Sequence, residues 1–482
     1  MKTLIKYSCI AFLAVCQLSC SNWLDIGSED RIMEKDLFST KDGFLTALNG
    51  IYIDLLDNSL YGRTLTYGTM DILAQYYDCS DNEHSYYNLA RYDSETKRDA
   101  VSATWTKAWF LINNVNTLLE HCEEDRAVLD DRDYHIIRGE ALALRALLHF
   151  ELFRIFGPVY NLDPQEKCLP YVRSSDLVVR EMLPAVQVQE FILNDLREAE
   201  RTLADYDPVI TEGPLFSDAG NGLSNAMRYR PLRLNYYAVQ AYIARVALYV
   251  GNSSLAGSYA EKVIKETQED NQWFPFIERA AAEDADHRDR IYQPEILFGV
   301  YNLNRNSIFE GTFSNNLSAV RVLRPTDDYI DWMYDQDIND LRYAYHWELL
   351  TSVNQDEGNL RYFVKYKEVD DGGKGFQYLV PLMRISEMYL IAAECTDEGV
   401  EYLNTLRAAR KIADVPEDAR LMDEIEKEYR REFIGEGQLF WFFKRRNQSD
   451  ITCGSGRERG MTKEDYLFQI PQEEEDHRGT NY

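Results

Sequence analysis

The sequence predicts an all-α fold, with helix pairs packed into one body and interrupted by long irregular insertions and a few short strands. Three observations predict it. Apolar residues recur at spacings of three and four over most of the chain, the period of a helix with one buried face. Two such segments, 235–252 and 254–266, follow each other across a turn at Gly251. Strand-like runs are few, "EILFGVY" (295–301) and "NLRYFVKYK" (359–367) being the best.

Taken in order, "KDGFLTALNGIYIDLL" (41–56) sets Phe44, Leu48, Ile51 and Leu55 on one face, and 103–122 does the same with Trp105, Trp109, Ile112 and Val115. "YHIIRGEALALRALLHFELFRIFGPVY" (134–160) is apolar almost all round, so it is buried on more than one side. It should stop at Gly157-Pro158, with glycine free to take a left-handed turn and proline unable to continue. Arg145, in the middle of that apolar wall, needs a buried partner, and a structural ion pair is expected. A helix at 188–203 follows.

Next comes the hairpin at 235–266, with Asn235 placed to cap its start and Gly251 to end its first arm. The small residues Ala256 and Ala260 let its arms approach closely, and the hairpin resembles a tetratricopeptide unit, although no clean 34-residue period runs through the chain. A further pair is predicted at 383–414 and a last long helix at 422–447. Trp332 and Trp347 fall in helix-like sequence and are expected in the core. The insertions are 57–102, 205–232, 268–330 and 448–482, long enough to carry function.

The N-terminus reads separately. Lys2 and Lys6 precede an apolar stretch that is too short for the roughly 20 residues of a spanning helix, and a small Ser19 follows. This predicts a secretory signal peptide over 1–19 and an exported chain. Cys20 directly after Ser19 matches the end of a bacterial lipoprotein signal, although Gln17 stands where an aliphatic residue is usual. Cys20 is therefore expected to be the acylated first residue, and two or three acyl chains would anchor it stably at about 0.8 kcal/mol per buried CH2.

The formal charge is −29, which argues against nucleic acid as a partner and against anionic lipid contact beyond the acyl anchor. Cys79, Cys122, Cys168, Cys395 and Cys453 are scattered, with no Cys-x-x-Cys, so neither a disulfide framework nor a zinc site is predicted. "DQDINDLRYAYH" (335–346) begins like a calcium loop but has Asp340 where glycine is needed and His346 where glutamate closes the site. "DDGGKG" (370–375) lacks phosphate-loop spacing. With 81 acidic residues, carboxylate pairs alone say nothing about glycoside hydrolysis. No catalytic residue, metal or cofactor is predicted.

Four stretches together carry a family resemblance. "CSNWLD" (20–25), "RGEALALRALLHFELFRIFGPV" (138–159), "RISEMYLIAAEC" with "EYLNTLRAAR" (384–410), and "EYRREFIGEGQLFWFFKRR" with "FQIPQEEE" (428–446, 468–475) resemble the signatures of SusD/RagB lipoproteins, in the family's order. The resemblance spans residues 20 to about 475. It implies a tetratricopeptide scaffold, a single domain over 20–482, a lipid anchor in the outer membrane with the body facing outward, and no enzymatic activity. It further implies capture of a glycan, or in some members a peptide, for a TonB-dependent SusC-like transporter. The rival reading from another class is a secreted glycoside hydrolase.

In that family ligand contacts come mainly from insertions. Sugar recognition needs aromatic faces and nearby hydroxyl partners. The first insertion offers Tyr76, Tyr77, Tyr86, Tyr87, Asp81, Asn82 and Arg91, and the second offers Tyr301, Asn302, Arg305, Phe309 and Phe313. Tyrosine outnumbers tryptophan 33 to 7 and no tryptophan falls in 74–92 or 300–316, the stretches that supply these residues, so tyrosines are the expected platforms.

Overall fold

The computed structural model describes residues 33–215, 227–353, 358–369 and 375–479, so Cys20 and the expected signal peptide lie outside the described residues. The principal helices are α1 (Lys41–Asp54), α2 (Ser94–Glu124), α3 (Asp131–Phe156), α4 (Ala185–Leu203), α5 (Tyr236–Tyr249), α6 (Ser253–Ile264), α7 (Ile385–Cys395), α8 (Gly399–Ala409), α9 (Leu421–Glu432) and α10 (Leu439–Arg446). From α2 to α8 each packs on the next, the helix-pair layering that the spacing predicted. One continuous apolar cluster runs from Phe38 to Phe468.

Local chemistry sets the ends. Thr40 caps α1 by accepting Gly43 N–H at 3.2 Å, and Asn235 caps α5 by accepting Ala238 N–H at 3.0 Å. Gly251 ends α5 with φ +77°, as expected. Gly157 differs: its φ is −77°, and glycine is needed there because a Cβ would lie 2.4 Å from the Phe153 carbonyl oxygen. Arg145 is buried in α3 and forms the expected ion pair, donating from Nε and Nη2 to Asp195 at 2.7 and 2.9 Å.

Eight short strands form four antiparallel pairs among the described residues: β1 (Lys167–Leu169) with β2 (Leu183–Pro184), β3 (Ile296–Tyr301) with β6 (Leu379–Arg384), β4 (Trp347–Thr351) with β5 (Asn359–Phe363), and β7 (Asp450–Thr452) with β8 (Glu458–Gly460). Trp347 is buried as expected, but it opens a strand and not a helix. Trp332 lies on the short helix Asp327–Met333 and is 48% exposed, contrary to the core placement, because that helix buries Tyr329, Ile330 and Met333 instead. The calcium-like stretch is spent on structure: Asp335 pairs with Arg431, Asp337 accepts Asn339 N–H, and Asp340 pairs with Arg342.

The predicted single helix at 422–447 is two. Gly435 and Gly437 take φ +84° and +71° between α9 and α10, and their N–H groups donate to Asp71 at 2.6 and 3.0 Å. Just before that break sits a buried charge cluster. Glu432 accepts from Arg342 Nη1 at 2.9 Å and Arg410 Nε at 3.0 Å, and also from Arg384; Arg410 holds Glu295 at 2.6 and 2.7 Å. Burial opposes ionisation of Glu432, but the guanidiniums of Arg410, Arg384 and Arg342 outweigh it and hold the carboxyl well below its usual range. The cluster ties α9 to β3, β6 and the 340–342 turn. Most of the "EYRREFIGEG" signature thus serves to lock the insertions onto the helices.

Candidate functional site

The two insertions meet over the apolar body and leave a groove of about 430 Å³. Backbone hydrogen bonds stitch the loops together: Asp78 N–H donates to Arg324 O and Ser85 N–H to Val320 O, both at 2.9 Å. The first loop supplies Asp78, Ser80, Asp81 and His84; the second supplies Ala319, Val322 and Arg324; the β4–β5 hairpin supplies Ser352, Leu360 and the buried Tyr362.

Each polar group is set by a neighbour. Asp78 Oδ1 accepts Ser80 N–H at 3.1 Å, and Asp81 Oδ1 accepts Glu83 N–H at 2.9 Å, both tight local turns that aspartate favours. Arg324 donates from Nη2 to Asp327 at 2.7 Å and from Nε to Arg361 O at 3.3 Å, with its guanidinium 5.8 Å from the Tyr362 ring centroid. His84 Nδ1 accepts Tyr86 N–H at 3.2 Å and Nε2 donates to Val322 O at 3.3 Å. Burial lowers the His84 pKa, which keeps the ring neutral. Both its nitrogens are occupied by backbone, so His84 holds shape and has no nitrogen left to move a proton. The groove offers acceptors, one guanidinium and a few apolar surfaces, the means of holding a polyol or a polar chain.

The expected site residues divide. Asp81 lines the groove and Asn82 is exposed beside it. Tyr86 is half-buried, its hydroxyl paired with Arg63; Tyr87 is half-buried under the exposed Arg91, whose guanidinium lies 5.2 Å from its ring centroid. Tyr76 and Tyr77 are corrected: they are 0% and 3% exposed, and their hydroxyls donate to Arg430 O at 2.9 Å and Asp71 Oδ2 at 3.2 Å. They anchor the loop from beneath and present no face to a ligand. Arg305 is corrected as well: it is buried, with Nη1 donating to the carbonyls of Phe376 and Leu379 at 3.0 and 3.3 Å. Phe309 and Phe313 are buried in the core. Tyr301 is exposed but lines a different cavity with Asn49 and Arg233, and Asn302 is turned back to bond Tyr378 O and Asn304 N.

Sequence reasoning missed Asp78, Ser80, His84, Arg324, Ser352 and Tyr362. Asp78 and Ser80 carried a signal, a run of turn-forming polar residues in the first loop. His84 lies in that same run, and Arg324, Ser352 and Tyr362 come from segments with no shared local pattern.

The comparisons agree with this architecture. A family model described as starch-binding and associating with the outer membrane matches residues 23–207, and the SusD family model matches 212–480, more than half of the chain. The chain belongs to the SusD family. Across 96% of its length it is 23% identical to SusD-like protein P38 of Formosa agariphila, 95% of which is covered. A SusD superfamily crystal structure from Bacteroides thetaiotaomicron superimposes with TM-score 0.69 at 22% identity, covering 91% of this chain and 98% of that one. Surface glycan-binding protein A of the same organism, solved in complex with laminarihexaose, superimposes with TM-score 0.65 at 16% identity, covering 91% and 98%. The likeness to these structures establishes the SusD helical fold with its few short strands.

Proposed function

We propose that this SusD-family chain, as one unit from residue 20 to 482, is an outer-membrane lipoprotein held by acylated Cys20. It captures an oligosaccharide or polysaccharide outside the cell and delivers it to a TonB-dependent SusC-like transporter. The observation that carries the reading is the groove of about 430 Å³ between the two insertions, whose acceptors Asp78 and Asp81 and donor Arg324 suit sugar hydroxyls. A SusD-fold relative bound to laminarihexaose supports the same ligand class. The mechanism is binding without chemistry, a reading that the SusD family model and the glycan-binding SusD-fold relatives support.

A second reading is favoured by one feature: among the described residues the groove carries two carboxylates and no open aromatic face, which suits a basic peptide. One experiment separates the readings. The protein is titrated calorimetrically with laminarihexaose, other neutral oligosaccharides and a lysine-rich peptide, and each sugar mixture is assayed for new reducing ends. Glycan binding without product supports the proposal. Peptide binding alone favours the second reading, and new reducing ends would establish a hydrolase.

A further inference from the structure

The groove holds more negative charge than its own cations cancel. Asp78 and Asp81 both line it, and in each only Oδ1 is used, accepting Ser80 N–H at 3.1 Å and Glu83 N–H at 2.9 Å. Among the described residues neither Oδ2 has a hydrogen-bond partner and neither carboxylate has an ion pair. Arg324, the guanidinium of the lining, is committed to Asp327 at 2.7 Å. His84 is no counter-ion: burial lowers its pKa against the opposing pull of Asp78 and Asp81, and its Nε2 donates to Val322 O while Nδ1 accepts Tyr86 N–H. On the two loops outside the lining, the exposed Glu83 and Arg321 offset each other in charge.

A second group is left over. Tyr362 is 1% exposed, yet its hydroxyl has no hydrogen-bond partner among the described residues and is not shut off from the groove that it lines. Buried polar groups are almost always paired, so this hydroxyl points to a ligand with hydroxyls of its own. Two carboxylates in the same concave wall draw a cation to that place.

A sugar meets both demands better than a peptide. Each residue of a bound peptide brings an N–H and a C=O that need partners. The loop backbone beside the groove is already paired, Asp78 N–H with Arg324 O and Ser85 N–H with Val320 O at 2.9 Å, and Val353 N–H with Asn315 O at 3.0 Å. A saccharide brings hydroxyls, and side chains serve those.

We infer that the groove selects a saccharide that carries a protonated amine, with the ammonium donating to the free Oδ2 atoms of Asp78 and Asp81 and a ring hydroxyl meeting that of Tyr362. The inference rests on the groove reading and narrows its ligand to amino sugars left unacetylated.

Hydrogen exchange on the full-length protein tests it at about pH 6, where an amine is charged. The probes are hexamers of β-1,4-linked glucosamine and of α-1,4-linked galactosamine, their N-acetylated forms, and hexalysine. At least one amine hexamer should protect 78–84 and 317–324 and bind about fivefold tighter than its acetylated form, the effect of one or two partly exposed charge pairs. Asp78→Asn combined with Asp81→Asn, which keeps the turn-forming oxygens, should abolish that margin, whereas Tyr362→Phe should weaken both forms alike. Three results overturn the inference: equal affinity for amine and acetylated forms, a margin unchanged in the double variant, which marks attraction to the acidic surface at large, or equal protection of the groove by hexalysine. Failure of the groove reading shows separately, as no protection at 78–84 and 317–324 with any sugar, acetylated or not, and takes the inference with it.

Discussion

Asp71 Oδ1 accepts the Gly437 N–H at 3.0 Å, joining the first insertion to the break between α9 and α10. The same carboxyl takes Gly435 N–H at 2.6 Å and the Tyr77 hydroxyl at 3.2 Å, so one side chain positions the loop beneath the groove and the turn that ends α9. Asp71→Ala orphans three donors and should lower stability by about 3 kcal/mol, since a buried donor left unsatisfied costs roughly 1–3 kcal/mol. Gly437→Ala should be at least as harmful, because φ is +71° and the new Cβ would lie 2.1 Å from Leu65 O. Urea denaturation reads both, and an unchanged midpoint in either would contradict this assignment.

Glu432 is the common acceptor of Arg342, Arg384 and Arg410, all buried. Glu432→Gln leaves three guanidiniums with reduced compensation and should cost about 3–5 kcal/mol, the usual result of breaking a buried ion pair. The loss should appear as a lower melting temperature with the helical circular-dichroism signal intact below the transition.

Stability should fall on the acid side through buried histidines. His149 Nδ1 donates to Arg145 O at 2.8 Å and Nε2 accepts Val172 N–H at 3.1 Å, a pairing that needs the neutral ring. Burial drives its pKa down to about 3. His346 is likewise driven well below its ordinary value, by burial first and Lys365 second. Because the folded pKa lies below the unfolded value of about 6.5, the unfolded chain alone takes up protons in between. The contribution is therefore complete above pH 6.5 and is lost as pH falls toward 3, at up to about 1.4 kcal/mol per pH unit for each ring. Denaturation at stepped pH should show this slope, and His149→Gln should flatten it.

The helices were legible because a period of three to four survives in any helix with one buried face. What escaped depended on distant partners. The break at Gly435 and Gly437 carried a local signal in its two glycines around Glu436, but its partner, Asp71, is far away in the chain. β6 was missed because it is buried on both faces and carries Pro381, which pairs with Gly299 and argues against a strand in isolation.

The site was legible only in part, for the same reason. A loop dense in tyrosine outside any helical period reads as an exposed platform, yet Tyr76 and Tyr77 are the loop's own core. Asp81 was recoverable from local composition. Arg324, Ser352 and Tyr362 reach the groove through loop pairing and a hairpin, and neither leaves a mark on any single stretch of sequence.

On the proposed function the groove, and not the buried tyrosines, holds the ligand. The most direct measurement is a calorimetric titration of the glycan that binds the wild-type protein best into Asp81→Ala, Arg324→Gln and Tyr76→Phe, with melting temperatures recorded for each. Binding about tenfold weaker is expected in the first two, with the fold retained. Tyr76→Phe should keep wild-type affinity and melt lower, since it loses the hydroxyl's bonds to the carbonyls of Arg430 and Tyr429 and nothing in the groove. Wild-type affinity in both Asp81→Ala and Arg324→Gln would rule out the groove as the ligand site.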